Sequence, residues 1–238
     1  MKIAILRTDT VVPALAARFG EYPDMFMRLL GAVEADLAFS VFDVERGQYP
    51  AALRAADGYL ITGSRAGVYE DFAWIHRLQD FVRELHGARV PTVGICFGHQ
   101  LIAQALGGRV ERSPRGWGVG VHTAQWHRHP RWLDDAPPTL RLLASHQDQV
   151  VEPAPGALVL AGSAFCPVAA CQLGDHLLSF QGHPEFVAGY ARGLLELRRA
   201  ALGEALFQRA LGSLAEPTDS RGIARGMLAF IRLAQAQV

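Results

Sequence analysis

The chain lacks a surplus of either charge: Lys plus Arg and Asp plus Glu number 23 each in 238 residues. With no block of like charge, there is no electrostatic ground for binding nucleic acid or an anionic membrane. No apolar run approaches the ~20 residues that span a bilayer. The start, MKIAILRTDT, is too short an apolar stretch for a signal peptide and has no small-residue cleavage pattern. Cysteine is scarce, with only Cys96, Cys166 and Cys171. An odd, sparse set argues against a disulfide scaffold and for a reducing, cytoplasmic compartment. It also lacks the C-x-x-C spacing of a zinc site. Repeats and low-complexity tracts are missing as well.

What is present is an ordinary globular balance, half hydrophobic and 19% charged. Short apolar runs alternate with helical patterns through the first half. KIAIL (2–6), LAFSVFDV (37–44), GYLITGS (58–64) and PTVGIC (91–96) read as strands. YPDMFMRLLGA (22–32), AWIHRLQDFVRELHG (73–87) and GHQLIAQALG (98–107) read as helices. In the 73–87 helix, Trp74, Leu78, Phe81, Val82 and Leu85 form the apolar face. This alternation predicts parallel strands with right-handed crossovers and helices on both faces, with ligands beyond the carboxyl ends of the strands. The middle differs: 118–126, 140–150, 157–165, 168–174 and 177–183 read as hairpin-linked, largely antiparallel strands. Helices over 190–211 and 221–237 close the chain. No linker divides it, so residues 1–238 are expected to form a single domain with a helical C-terminal extension over 190–238.

The stretch PTVGICFGHQLIAQALGG (91–108) sets Cys96 between a strand and a helix, with Gly94 and Gly98 on either side. G-x-C-x-G at such a junction is the thiol counterpart of a nucleophile elbow. The turn is sharp, so its flanks must be small, and its apex points out of the sheet. Amides of the helix start favour negative charge there and can donate to an oxyanion. The ordinary fate of a free cysteine is to be a small buried apolar residue, and the motif alone does not exclude that.

A thiolate nucleophile needs a base, and the base needs an orienting group. Of nine histidines, His76 and His86 fall on the polar side of a helix, and His127 and His129 in a solvated loop. His99 lies within the helix after Cys96 as a supporting residue. His183 differs, because in SFQGHPEF (179–186) it ends an apolar strand stopped by Pro184. Glu185 follows two positions later, so in extended chain both side chains project to one side. A carboxylate there can fix the imidazole tautomer, as in any triad.

With these segments the chain resembles a class I glutamine amidotransferase, the Cys-His-Glu glutaminase module, over nearly its whole length. GICFGHQLIAQALGG resembles the family's nucleophile motif and FQGHPEF its histidine–glutamate motif. LITGSRAGVYED (60–71) stands where the family has its oxyanion strand, and SHQDQV (145–150) resembles a segment of the module in GMP synthase. The resemblance implies a flavodoxin-like, three-layer α/β/α fold with a mostly parallel central sheet and an added antiparallel strand region. It implies Cys96 as nucleophile, His183 as base and acid, and Glu185 as its orienter. The backbone amides of Gly63 and Phe97 would form the oxyanion hole, and Gln100, Ser145 and His146 would contact the substrate. The RGWGVG loop (115–120) would close the pocket. No cofactor and no metal are implied.

The implied substrate is a small molecule, glutamine or another γ-glutamyl compound. The ammonia released would pass to a separate synthase subunit, since no P-loop and no SGGxDS segment occur in the chain. A γ-glutamyl hydrolase acting on γ-glutamyl amines or peptides would use the same triad. A non-catalytic binding or redox-sensing module would use the elbow cysteine alone. Where the family has two glycines and a proline, this chain has Thr62-Gly63-Ser64. Where it has an aromatic residue before the histidine, this chain has Gly182, expected to open space beside His183 for a larger substrate.

Overall fold

A computed structural model describes residues 1–133 and 137–236. The chain order is β1 (Lys2–Arg7), α1 (Pro13–Phe19), α2 (Tyr22–Gly31), β2 (Ala38–Asp43), β3 (Gly58–Ile61), α3 (Ala73–Gly87), β4 (Thr92–Ile95) and α4 (Phe97–Ala105). Then follow β5 (Arg109–Arg112), β6 (Gly118–Trp126), β7 (Thr139–His146), β8 (Asp148–Glu152), β9 (Leu158–Gly162), β10 (Ala170–Leu173) and β11 (Leu177–Phe180). Helices α5 (Ala188–Leu202), α6 (Glu204–Ser213) and α7 (Ser220–Gln235) complete the described chain.

Nine strands form one sheet in the order β2-β1-β3-β4-β11-β10-β9-β6-β7. The first five are parallel and the remaining pairings antiparallel. The expected mostly parallel sheet with an antiparallel region is therefore present. Alternation along the strands sends side chains to opposite faces. Ile3, Ile5, Leu60, Val93 and Ile95 pack with Phe26 and Leu30 of α2 and with Ile223, Met227 and Phe230 of α7. Ala4, Leu6, Tyr59 and Ile61 pack with α3 and α4 through Leu78, Phe81, Val82 and Leu101. These two cores make the three layers.

The sequence reading differs from the structure at a few elements. The 140–150 segment is two strands, because the chain leaves the large sheet at Gln147. β8 then pairs with β5, which the sequence reading did not include. The 190–211 helix is broken at Gly203, which adopts φ 73°. Helix α1 was also not expected. On α3 the inward position belongs to Ile75, while Trp74 is half-buried against Phe97 with ring centroids 5.5 Å apart. The last residue of the expected 221–237 helix, Gln237, lies outside the described residues, which end at Ala236. Among the described residues no helix is long and apolar enough to cross a membrane.

Candidate active site

Cys96 sits at the carboxyl end of β4, between the parallel strands β3 and β11, at φ 52° and ψ −99°. This conformation is costly for a residue with a Cβ, of order 1–3 kcal/mol, and persists only where the surroundings enforce it. The surroundings are the two flanking glycines. A Cβ on Gly94 would lie 2.5 Å from the Gly98 carbonyl oxygen, and one on Gly98 would lie 2.5 Å from the Ile61 carbonyl oxygen. Any larger residue would push α4 away from β3 and β4. The close approach sets the α4 amino terminus under the thiol, with the Phe97 amide at its first turn and the Phe97 ring buried in the core.

β11 is the parallel neighbour of β4, with Phe180 opposite Ile95. The residues just past their ends therefore meet. The Cys96 amide donates to the Phe180 carbonyl at 2.8 Å, and Gln181 Nε2 donates to Cys96 Sγ at 3.6 Å. Two residues on, the His183 amide donates to the Leu143 carbonyl at 2.8 Å, which ties this strand end to β7. His183 Nδ1 donates to Glu185 Oε1 at 2.8 Å, with both side chains buried. Phe186 stacks on the imidazole with centroids 3.8 Å apart.

Burial alone would lower the His183 pKa. The Glu185 carboxylate and the adjoining Cys96 outweigh it and lift the value to about 10. Both neighbours favour the protonated ring, the imidazolium. Glu185 Oε2 is buried with no hydrogen-bond partner among the described residues, so the carboxylate relies on that imidazolium for its compensation. Cys96, His183 and Glu185, separated along the chain, form one contiguous set.

The other expected residues fall as follows. Gly63 ends β3 beside the pair, and a Cβ there would meet His183 Cε1 at 2.9 Å and Cys96 Cβ at 3.7 Å. Only glycine leaves room for the imidazole. Ser145 lines the cavity at the thiol, and its Oγ accepts from the Arg198 guanidinium. Gln100 is buried, and its Nε2 donates to the Asp148 carbonyl at 2.8 Å and to Gln181 Oε1 at 3.0 Å. It is thereby linked to the thiol through Gln181. The His146 ring turns toward His122 and Phe165, donates from Nδ1 to the Asp148 carbonyl at 3.1 Å, and does not line the cavity at Cys96. His99 is buried between Ser179 and the Val168 carbonyl. Of the expected 115–120 loop, Gly118–Gly120 already belong to β6, and Trp117 just before it carries the Arg198 guanidinium on its face at 4.9 Å.

Gly182 does not open space beside His183. A Cβ at that position would lie 2.7 Å from Leu142 Cβ, so β7 occupies the room a side chain would need. The open volume lies elsewhere, in a cavity of about 160 Å³ bordered by Asp9, Tyr22, Gly63, Cys96, Ser145 and Arg198. Sequence reasoning missed Gln181, Asp9, Tyr22 and Arg198. Gln181 stood inside a quoted motif, two residues before His183, and could have been found. The others come from the loop after β1, from α2 and from α5, and nothing in their spacing ties them to Cys96.

Residues 30–196 match the family described as glutamine amidotransferase class-I. Gamma-glutamyl peptidase 4 of Arabidopsis thaliana is 33% identical over 175 residues, covering 71% of this chain and 69% of that protein. GMP synthase (glutamine-hydrolysing) of Aeropyrum pernix is 34% identical over 134 residues, covering 56% of this chain and 25% of that much longer protein. The crystal structure of a glutamine amidotransferase from Thermotoga maritima superposes with a TM-score of 0.75 at 19% identity, covering 98% of this chain and 97% of that one. The fold and the matched residues agree: the chain belongs to the class I glutamine amidotransferase family.

Proposed function

We propose that the protein hydrolyses γ-glutamyl amide bonds, of which the side-chain amide of glutamine is the simplest, through a thioester on Cys96. The observation that carries the reading is the geometry: His183, buried and held by Glu185 at 2.8 Å, lies beside a cysteine in a strained elbow, where its neighbours favour the protonated ring. An imidazolium so held is the natural partner of a thiolate. The thiolate attacks the amide carbon, and the amides of Gly63 and Phe97 take the oxyanion. His183 gives its proton to the departing nitrogen, the C–N bond breaks, and a γ-glutamyl thioester remains. Water, deprotonated by His183, then attacks the thioester, releasing glutamate and restoring the thiolate. Gln181, donating to Sγ at 3.6 Å, steadies the thiolate between steps. Gln100 and the 145–146 segment support the site, and the reducing conditions that the free thiol requires fit a cytoplasmic setting.

In its simplest form this is a glutaminase whose ammonia goes to a separate synthase subunit, as the likeness to part of a GMP synthase suggests. A second reading, hydrolysis of γ-glutamyl peptides or amines with water as the only acceptor, is favoured by the cavity of about 160 Å³ at the thiol and by the likeness to a protein named as a γ-glutamyl peptidase. Incubation with glutamine, γ-glutamyl peptides and γ-glutamyl amines, scoring ammonia, amine and glutamate, tests both readings. A γ-glutamyl adduct on Cys96, trapped by acid quench and seen by mass, is the expected intermediate. Release of glutamate from none of these compounds would refute the proposal.

A further inference from the structure

A second cavity, of about 540 Å³, shares a wall with the one at Cys96: Phe186 and Tyr190 border both. Cys96 and His183 border the first cavity only, and Glu185 the second only. The chemistry proposed for Cys96 makes no use of the second cavity, and its size is that of a small-molecule site. Besides Glu185, three charged side chains border it, and none forms an ion pair among the described residues. Arg18 and Arg28 come from α1 and α2, Glu216 from the segment between α6 and α7. Arg18 lies over the Phe19 ring at 5.0 Å, and Arg28 donates to the Phe19 carbonyl. Asp24, on the same helix as Arg28, accepts from the Glu21 amide instead.

These three charges are exposed, and water serves each of them. Glu185 is different. It is buried, its Oε1 is taken by His183, and its Oε2 has no hydrogen-bond partner among the described residues. A buried acceptor without a donor is costly. The rest of the lining is largely apolar, with Met25, Leu143, Phe186 and Leu214 buried and Val187 left 56% exposed. A plain anion would leave Oε2 without a donor and bring like charge beside Glu185. A plain amine would leave both guanidiniums unanswered. A zwitterion answers all of them: its carboxylate pairs with the Arg18 and Arg28 forks, and its ammonium offers donors to Glu216 and to Glu185 Oε2. We infer that this cavity is a second binding site, for a free α-amino acid with an apolar side chain, and that its ligand acts on turnover through Glu185. Occupancy touches the acid that orients His183 and the Phe186 ring that stacks on the imidazole at 3.8 Å.

The test is calorimetric titration of the full-length protein with L-phenylalanine and L-leucine, each expected to fill one saturable site. 3-Phenylpropanoate, which lacks the amine, and 2-phenylethylamine, which lacks the carboxylate, should each bind about tenfold or more weakly than L-phenylalanine, the value of one charge-assisted contact. Arg18→Gln/Arg28→Gln, a double change at exposed positions, should weaken L-phenylalanine by a similar factor. Arg198→Gln, which alters the cavity at the thiol, should leave its affinity as it was. Saturable binding of neither amino acid overturns the inference. So does equal affinity for 3-phenylpropanoate, or undiminished binding by Arg18→Gln/Arg28→Gln. Loss of binding in Arg198→Gln would place the amino acid at Cys96 and overturn it too. With a γ-glutamyl substrate present, L-phenylalanine is expected to change kcat rather than KM, and a rise in KM alone would also overturn the inference. If no γ-glutamyl compound is hydrolysed, the chemistry proposed for Cys96 fails, while the titrations still decide the second site.

Discussion

At the scale of single residues the site depends on contacts too close to tolerate an added atom. Cys96→Ala or Cys96→Ser should abolish glutamate release, whereas Cys166→Ala should leave it intact, as a product assay will read. Burial pushes the Cys166 and Cys171 thiols up to about 12, so neither supplies a thiolate at neutral pH. Gly63→Ala is a sharper probe. Its methyl group would lie 2.9 Å from His183 Cε1, and the imidazole would have to shift. A displacement of about 1 Å in such a site costs on the order of 100-fold in rate. We expect a loss of that size in kcat for Gly63→Ala with a cooperative unfolding transition retained. Normal turnover would mean that the imidazole is not fixed there during reaction.

At the scale of elements, glycines act in two distinct ways. Gly98 faces the Ile61 carbonyl oxygen at a distance that no Cβ allows, without a left-handed backbone. Gly203 separates α5 from α6 at φ 73°, and a Cβ there would meet nothing within 4 Å. Gly98→Ala should therefore destabilise by overpacking, roughly 1–3 kcal/mol or more, and reduce activity as the elbow opens. Gly203→Ala should cost only the backbone strain of a conformation that is essentially glycine's alone, of order 1–3 kcal/mol, with activity unchanged. Urea denaturation alongside the product assay separates the two.

The same contrast explains what could be read from the sequence. The strand–helix alternation of the first half, the elbow around Cys96 and the pairing of His183 with Glu185 were legible, because periodicity and motif spacing are local. The break at Gly203 lay hidden inside a continuous apolar pattern. The turn at Gln147 was hidden because it depends on β5, a partner far along the chain. The meaning of Gly182 depends on Leu142 of β7, a neighbour that spacing cannot name. Arg198 reaches the cavity only because α5 folds back over the strand ends.

At the scale of the whole molecule, the buried histidines set the dependence of stability on pH. Burial, foremost among the causes, lowers His99 to about 4, His146 to about 3 and His176 to about 4. Unfolding releases them to bind protons below the ordinary value of about 6.5, so stability should fall as the pH drops from there toward 4. His183 works in the opposite sense. With its folded value raised to about 10, its contribution is complete below about 6.5 and is lost as the pH rises toward 10. The urea midpoint should therefore peak near pH 6.5. The alkaline decline should flatten in His183→Gln, and the acid decline in His99→Gln, provided each variant unfolds cooperatively. A midpoint that stays level across pH 5 to 9 would show that these rings are not held as described.

One consequence follows from the way β3 ends. Its last residue, Ile61, braces Gly98 on one side, and its continuation supplies Gly63 on the other. The sulfur and the loop facing it thus take their positions from a single short ruler. A repacking of β3 would carry both together and keep their spacing, while a change in α4 alone would pull them out of alignment. Directed evolution that seeks a new leaving group should leave Ile61, Gly63, Cys96 and Gly98 untouched and vary the rim formed by α5 and the segment after β1.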